Sequence, residues 1–274
     1  MNLHAGPPRA MTRLTLRLVP LTPLHVGDGT EMRLDEYLLE VPRASGRRFD
    51  ERGQETEEQA QAPMLCRFDQ AKAMRAMTPA QRSAFQRALD SGRLGEAARA
   101  LREAGRGAIV ERMPISRRSA AELKRAFEDP LLRSGQVKPF IRSGGRLYIP
   151  GSSLKGAFRT ALASAALPRD CEPPDGWRHE SALSAAFGLS PNDTTTDPLR
   201  FLHVADAFLP EGATLIDRVE VMDRENPQAG KMQMHYERTL ALLEGDDAPA
   251  FTVAIDIDSR AREALRAAPG DAHD

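Results

Sequence analysis

The stretch YIPGSSLKGAFRTAL, residues 148–162, constrains the fold more than any other part of the chain. It opens with the aromatic and β-branched character of a strand and breaks at Pro150-Gly151. It then continues with apolar residues at helical spacing, so a strand must turn almost directly into a helix. Leu154, Ala157, Phe158, Ala161 and Leu162 fall on one face of that helix, which the spacing predicts over 152–167.

A helix N-terminus carries unpaired N–H groups and the positive end of a dipole. At this corner Gly151 permits close backbone approach, and Ser152 or Ser153 can cap the helix or donate to a phosphate oxygen. Lys155 adds a mobile cation, and Arg159 follows one turn later on the same side. Together they describe an anion site suited to a phosphate or a nucleic-acid backbone. The same residues equally describe an ordinary capped helix with two solvated cations. A Walker A loop is excluded, because Ala157 follows Gly156 where that motif needs lysine.

Elsewhere the pattern alternates between strand and helix. RLTLRLVPLTPLHVG (13–27) begins with period-two alternation, and DEYLLEVPR (35–43) reads as a second strand. HVGDGT between them is turn chemistry, so the two are expected to form a loose hairpin. Residues 44–62 are polar and are expected to be flexible. Helical spacing covers 67–77 and 79–105, with Gly92 and Gly105 as stops. A strand is expected over 108–116, then a helix over 119–132 capped by Ser119. QVKPFIRSGGRLYIPGSS reads as a hairpin with Ser143-Gly144-Gly145 at its tip. A short helix is expected over 179–188, strands over 199–209, 214–224 and 248–258, and a polar segment over 225–238. This order fits an α+β fold with a largely antiparallel sheet.

Composition narrows the function classes. Lys+Arg 38 nearly balances Asp+Glu 39, so any nucleic-acid site must be a local basic face. Aromatics are 5% of the chain, too few for extensive base stacking. Cys66 and Cys171 stand far apart, which excludes a zinc site built on cysteine pairs and suggests buried thiols in a reducing cytoplasm. MNLHAGPPRAM lacks the apolar core of a signal peptide, and no apolar run is long enough for a membrane span. A soluble cytoplasmic protein is expected.

Other candidate residues are sparser. His25 and Asp28 in PLHVGDGT could serve acid–base chemistry, or simply shape the turn. Asp35 and Glu36 could act as a metal-binding or catalytic pair, or be solvated strand-end carboxylates. His203 and Asp206 sit near a strand end, where Asp206 is suited to bond nearby backbone. Arg238 in HYER could face a ligand or form a surface pair with Glu237.

Four stretches taken together carry a family resemblance: LTPLHVGDGT, KPFIRSGGRLYIPGSSLKGAFRTAL, LHVADAF and HYERTLALLEGDDAPAFTVAI. They resemble the RAMP proteins of type III CRISPR effector complexes. The likeness is closest to the Csm-type subunit that caps the backbone filament at the 3′ side of the guide RNA. It implies a ferredoxin-like (RRM-like) fold with an antiparallel sheet. The core would span 12–257, with a helical insertion over about 66–132 and a second ferredoxin-like half over about 199–257. Residues 1–11 and 258–274 would be tails. The resemblance also implies that Gly151, Ser152, Ser153, Lys155 and Arg159 contact guide-RNA phosphates or adjoining bases. His25, Gly27 and Gly29 would form a first-strand loop facing the same groove.

Implied partners are guide RNA, target RNA, the neighbouring RAMP backbone subunit and other Csm-type effector subunits, with no membrane, metal or cofactor. The capping subunit is non-catalytic in this family, and Asp35 lies in no stretch matching the aspartate loop of the RNA-cutting subunits. The competing expectations are a catalytic RAMP endoribonuclease using Asp28, Asp35 or His25, and a small-molecule phosphate enzyme. Relatives commonly run longer and carry a further glycine-rich stretch near the C-terminus. SRAREALRAAPGDAHD has none, so the second half is expected to be compact, truncated or completed by another chain.

Overall fold

The structure, a computed structural model, describes residues 10–42, 48–49, 55–56, 62–128, 135–166, 197–220, 233–244 and 249–261. The helix expected over 179–188, Cys171, the N-terminal tail to residue 9 and the C-terminal tail from 262 lie outside these residues, as does most of the polar segment 44–62.

The chain runs β1 (Met11–Leu18), β2 (Tyr37–Glu40), β3 (Arg48–Phe49), β4 (Glu55–Thr56) and β5 (Met64–Phe68). Three helices follow: α1 (Gln70–Ala76), α2 (Pro79–Asp90) and α3 (Leu94–Gly105). Next come β6 (Ile109–Pro114), α4 (Arg117–Glu128), β7 (Val137–Lys138), β8 (Arg142–Ser143), β9 (Arg146–Ile149) and α5 (Gly151–Ala166). The last elements are β10 (Leu202–Val204), β11 (Ala207–Phe208), β12 (Thr214–Glu220), β13 (Gln233–Thr239) and β14 (Phe251–Asp258). Pairing is antiparallel except where β13 meets β7 in parallel and Ile115 bridges Ile216. The mixed α+β, mainly antiparallel expectation therefore holds. The chain forms two compact units, each discontinuous in sequence.

The smaller unit contains residues 1–19, 143–210 and 250–274. Its sheet has the order β1-β14-β10. All eight residues of β1 pair with β14, from Met11↔Asp258 to Leu18↔Phe251. The expected hairpin between the first two strands is thus not formed, because β1 takes the last strand as its partner and β2 takes β5. Alternation explains the choice: Leu14, Leu16 and Leu18 lie opposite Ile255, Val253 and Phe251, joining two apolar rows. The other face carries the exposed Arg13–Asp256 pair at 2.7 Å. β9 pairs with β11, Ile149 opposite Ala207, and the turn before β9 carries Gly144 and Gly145 with φ of 57° and 79°. Both glycines in the left-handed region match a two-residue type I′ turn, as the hairpin reading required.

The larger unit contains residues 20–142 and 211–249. Its sheet β2-β5-β6 is buried on both faces, and period-two alternation divides its side chains between two cores. Tyr37, Leu65 and Met113 enter one core with Leu123, Val137 and Ile216. Leu38, Cys66 and Phe68 enter the other, beneath Ala73, Met77 and Leu101 of the helices. Burial pushes the Cys66 thiol up to about 12, with Glu40 adding to the effect, so this cysteine is an inert core residue.

Helices α1 to α3 leave the sheet after β5 and return at β6, which pairs beside it. α2 begins with a full capping box, Thr78 and Gln81 exchanging bonds, and ends before Gly92. Helical spacing misassigned Arg67 and Phe68, which are strand: Phe68 faces the core and Arg67 pairs with Glu111 of β6. α4 starts at Arg117, two residues early. Ser116 accepts the Ser119 N–H at 3.2 Å, and Ser119 is buried with its hydroxyl donating to Asp217. Ser116 therefore takes the capping role expected of Ser119.

The polar segment read over 225–238 contains β13 from residue 233. Period two is present there, but polar His235, Glu237 and Thr239 occupy the buried positions. A strand with polar residues facing inward gives no apolar alternation for sequence reasoning to detect.

Candidate nucleic-acid interface

α5 does begin at the strand-to-helix corner, at Gly151. Gly151 is buried, and a Cβ placed there would lie 2.0 Å from the Val204 carbonyl oxygen. The backbone at Val204–Ala205 therefore touches the helix start directly, and only glycine fits. Asp206, two residues further on, accepts the Gly151 N–H at 2.8 Å. GSS and HVAD, far apart in sequence, are thus two halves of one joint.

This joint uses much of the donor set that made the corner an anion site. Besides the Gly151 N–H, those of Ser153 and Leu154 both go to the Pro150 carbonyl, at 2.9 and 3.1 Å. Among the described residues, Ser152 keeps the one first-turn N–H without a partner. The Ser152 and Ser153 side chains are exposed, and neither supplies the cap, which comes from Asp206. Their hydroxyls remain available to a ligand.

The two cations differ. Arg159 is half-buried and binds Asp197 at 2.6 Å. Asp197 also caps the 3₁₀ turn Pro198–Phe201 that leads into β10. Lys155 is half-buried one turn before Arg159 and makes no hydrogen bond or ion pair among the described residues. Lys155 is thus the uncommitted charge of the corner. The expected apolar face is only partly realised: Leu154 and Phe158 are half-buried, but Ala157 and Ala161 are exposed and Leu162 is 43% exposed. The less exposed side runs from buried Gly151 through half-buried Leu154, Lys155, Phe158 and Arg159 to buried Ala163, with Gly151 packed against the Val204 carbonyl.

His25, Gly27 and Gly29 belong to the larger unit. Leu24 exchanges bonds with Thr239, and His25 donates from Nδ1 to the Glu237 carbonyl at 2.7 Å. The imidazole meets the Tyr236 ring edge-to-face at 4.7 Å. Gly27 bridges to Phe140, and Gly29 has a φ of 85°. Asp28 accepts from the Thr30 N–H and hydroxyl at 2.8 and 2.7 Å. Slight burial opposes its ionisation, but those two bonds hold its carboxyl below the ordinary value. Asp35 accepts from Gln70 at 3.2 Å, and Glu36 accepts the Arg33 N–H at 2.7 Å. His25, Asp28, Asp35 and Glu36 are each engaged in local structure. Among the described residues no three His, Cys, Asp or Glu side chains converge as a metal-binding group.

Sequence reasoning missed the polar centre of the larger unit. Glu237, 1% exposed, takes two bonds from Arg142 at 2.8 Å, one from the Phe140 N–H at 2.9 Å and one from the Thr214 hydroxyl at 2.7 Å. Burial works against the Arg142 charge, but its bonds to Glu237 overcome this and strengthen its hold on the proton. The HYER arginine, Arg238, pairs with Asp217 at 2.7 Å, not with Glu237. Burial opposes Asp217 ionisation, and bonds from Arg238 and Ser116 outweigh it, keeping the carboxyl below its usual range. Glu237 anchors Phe140, Arg142 and the His25 loop at once. The signal in sequence was the inward register of β13, visible only once its pairing is known.

Among the described residues no helix is long and apolar enough to cross a membrane. Comparison with curated proteins returns no match. Among solved structures, the crystal structure of T. onnurineus Csm5 is similar, with a TM-score of 0.50 and 19% identity, covering 93% of this chain and 75% of that one. A chain of the cryo-EM structure of a Csm-crRNA-target RNA ternary complex from a type III-A CRISPR-Cas system is also similar. There the TM-score is 0.53 and the identity 19%, covering 93% of this chain and 70% of the other. These likenesses establish a shared fold. Residues 17–217, which include the His25 loop, the Gly151 corner and Asp206, match the family profile of the RAMP superfamily, and the chain belongs to that superfamily.

Proposed function

We propose that this protein is a non-catalytic RNA-binding subunit of a type III, Csm-type CRISPR ribonucleoprotein. It caps the backbone filament at the 3′ side of the guide RNA and helps hold guide and target RNA in the cytoplasm. Its partners are guide RNA, target RNA, the adjoining RAMP backbone subunit and the other Csm-type subunits. The observation that carries this reading is the fold shared over 93% of the chain with a member of a Csm-crRNA-target RNA complex.

At the corner, Lys155 and the Ser152 and Ser153 hydroxyls take guide-RNA phosphates. Gly151 and Arg159 set the helix against β10 and hold these donors in place. The His25–Gly29 loop supplies a second contact, with Gly27 and Gly29 keeping its backbone low. The engagement of His25, Asp28 and Asp35 in local bonds supports a holding role in preference to a cutting one. Backbone contacts of this type read RNA shape with little base specificity, which suits a chain poor in aromatics.

Affinity purification of the tagged protein from cells with an active type III system tests the proposal. RAMP backbone subunits and guide RNA with a protected 3′ segment are expected in the eluate. A protein that elutes alone, or that cleaves RNA in Mg²⁺ by an activity lost in Asp35→Ala, contradicts it.

A further inference from the structure

The larger unit carries a cleft of about 370 Å³ that neither the RNA reading nor the family match assigns. Its aliphatic lining comes from Leu38 and Leu39 of β2 and Val41 just beyond it, of which Leu38 is buried, Leu39 half-buried and Val41 exposed. Its walls are cationic: Arg99, Arg102 and Arg106 from α3 and its end, and Lys124 from α4. Against these four cations stands one lining carboxylate, Glu103.

The arrangement follows from helix geometry. The buried stripe of α3 is Ala97, Leu101 and Gly105, and the three arginines, at i, i+3 and i+7, share a separate face of which half-buried Arg102 lies nearest the stripe. Arg102 is fixed in the cleft wall, donating to the Leu34 carbonyl at 3.0 Å with its guanidinium 4.1 Å from the Phe127 ring centroid. Arg99, Arg106 and Lys124 are exposed and form no ion pair among the described residues. Other arginines of this unit, among them Arg67, Arg112, Arg142 and Arg218, are held by carboxylates. Charge left unpaired around an apolar floor is complementary to an anionic partner that also presents apolar groups.

Two classes of anion can be weighed. A nucleic-acid strand offers phosphates and flat bases, which are gripped by polar grooves and free aromatic faces. Here the floor is leucine and valine, and the one aromatic ring, Phe127, is already covered by Arg102. An acidic amphipathic helix offers leucine-sized anchors at i, i+3, i+4 and i+7 flanked by carboxylates. The arginine row spans about 10 Å along α3 at 1.5 Å per residue, two turns of such a helix.

We infer that this cleft is a docking site for an acidic amphipathic peptide segment of a partner protein. Its apolar side chains seat on Leu39 and Val41, and its carboxylates pair with Arg99, Arg106 and Lys124. The inference stands independently of the RNA-binding reading, which concerns other residues.

The test is fluorescence anisotropy on the full chain with a labelled peptide of about 16 residues, Leu at i, i+3, i+4 and i+7 and Glu on both flanks. Arg99→Glu/Arg106→Glu and, separately, Lys124→Glu are expected to weaken binding by about tenfold or more, and a Leu→Ser peptide to lose a similar amount. A labelled oligouridylate of equal length is expected to bind wild type and variants alike. The inference is overturned if wild type does not bind the peptide, if the variants bind it equally, or if the Leu→Ser peptide binds as well. Loss of oligouridylate binding in the same variants overturns it in favour of a nucleic-acid site.

Discussion

The Asp206 carboxylate caps α5 from outside the helix, accepting the Gly151 N–H at 2.8 Å across 55 residues of chain. A cap supplied by the strand connection ties the helix start to β10 and β11, and leaves the serine hydroxyls and Lys155 uncommitted.

Asp206→Ala removes this cap and is expected to cost about 1 kcal/mol. Urea denaturation monitored by circular dichroism checks it, through a lower midpoint with an unchanged slope.

Two glycines of α5 are expected to respond in opposite directions. Gly151→Ala drives a methyl group into the Val204 carbonyl and is expected to destabilise by about 3 kcal/mol. At Gly156 a Cβ meets nothing within 4 Å, so Gly156→Ala is expected to stabilise by about 0.5–1 kcal/mol through helix propensity. Thermal melts of the two variants should bracket the wild type.

The Glu237–Arg142 pair is expected to be costly to break and cheap to replace. Glu237→Ala leaves a half-buried guanidinium without its principal partner and is expected to lose about 3–5 kcal/mol. Combining it with Arg142→Met is expected to cost less than the sum of the single changes, because the buried charge goes too. A double-mutant cycle in urea measures the coupling.

Stability should fall with acid through His235. Burial lowers its proton affinity below the ordinary value of 6.5, and Glu122, 3.4 Å away, only partly offsets this. The unfolded chain therefore takes the proton first, so stability is full above about 6.5 and is lost as the pH drops below that value. His235→Gln is expected to flatten the melting temperature between pH 7.5 and 5.5. An equal decline in wild type and variant would assign the acid sensitivity elsewhere.

The sequence made the α5 corner legible because its signals are local: a glycine, a helix period and two cations within twelve residues. The antiparallel α+β class was legible for the same reason. What escaped was non-local. β1 and β14 pair across nearly the whole chain, and alternation in each strand cannot name its partner. β13 escaped because His235, Glu237 and Thr239 face inward, so burial and polarity disagree. Asp206 was expected to bond nearby backbone, and the backbone it bonds is near only in space. Spacing gives Arg159 and Lys155 the same phosphate-binding role, but the Arg159 bond to Asp197 separates the two and leaves Lys155 as the corner's more discriminating probe.

The most direct measurement is the salt dependence of guide-RNA binding by wild type and Lys155→Ala. Filter binding of labelled guide RNA across a range of KCl concentrations gives the slope of log K against log salt. The account predicts weaker binding and a slope shallower by about 0.7, one single-strand phosphate contact, with the folded fraction unchanged. Unchanged affinity and slope in Lys155→Ala would contradict the claim that this corner holds the RNA backbone.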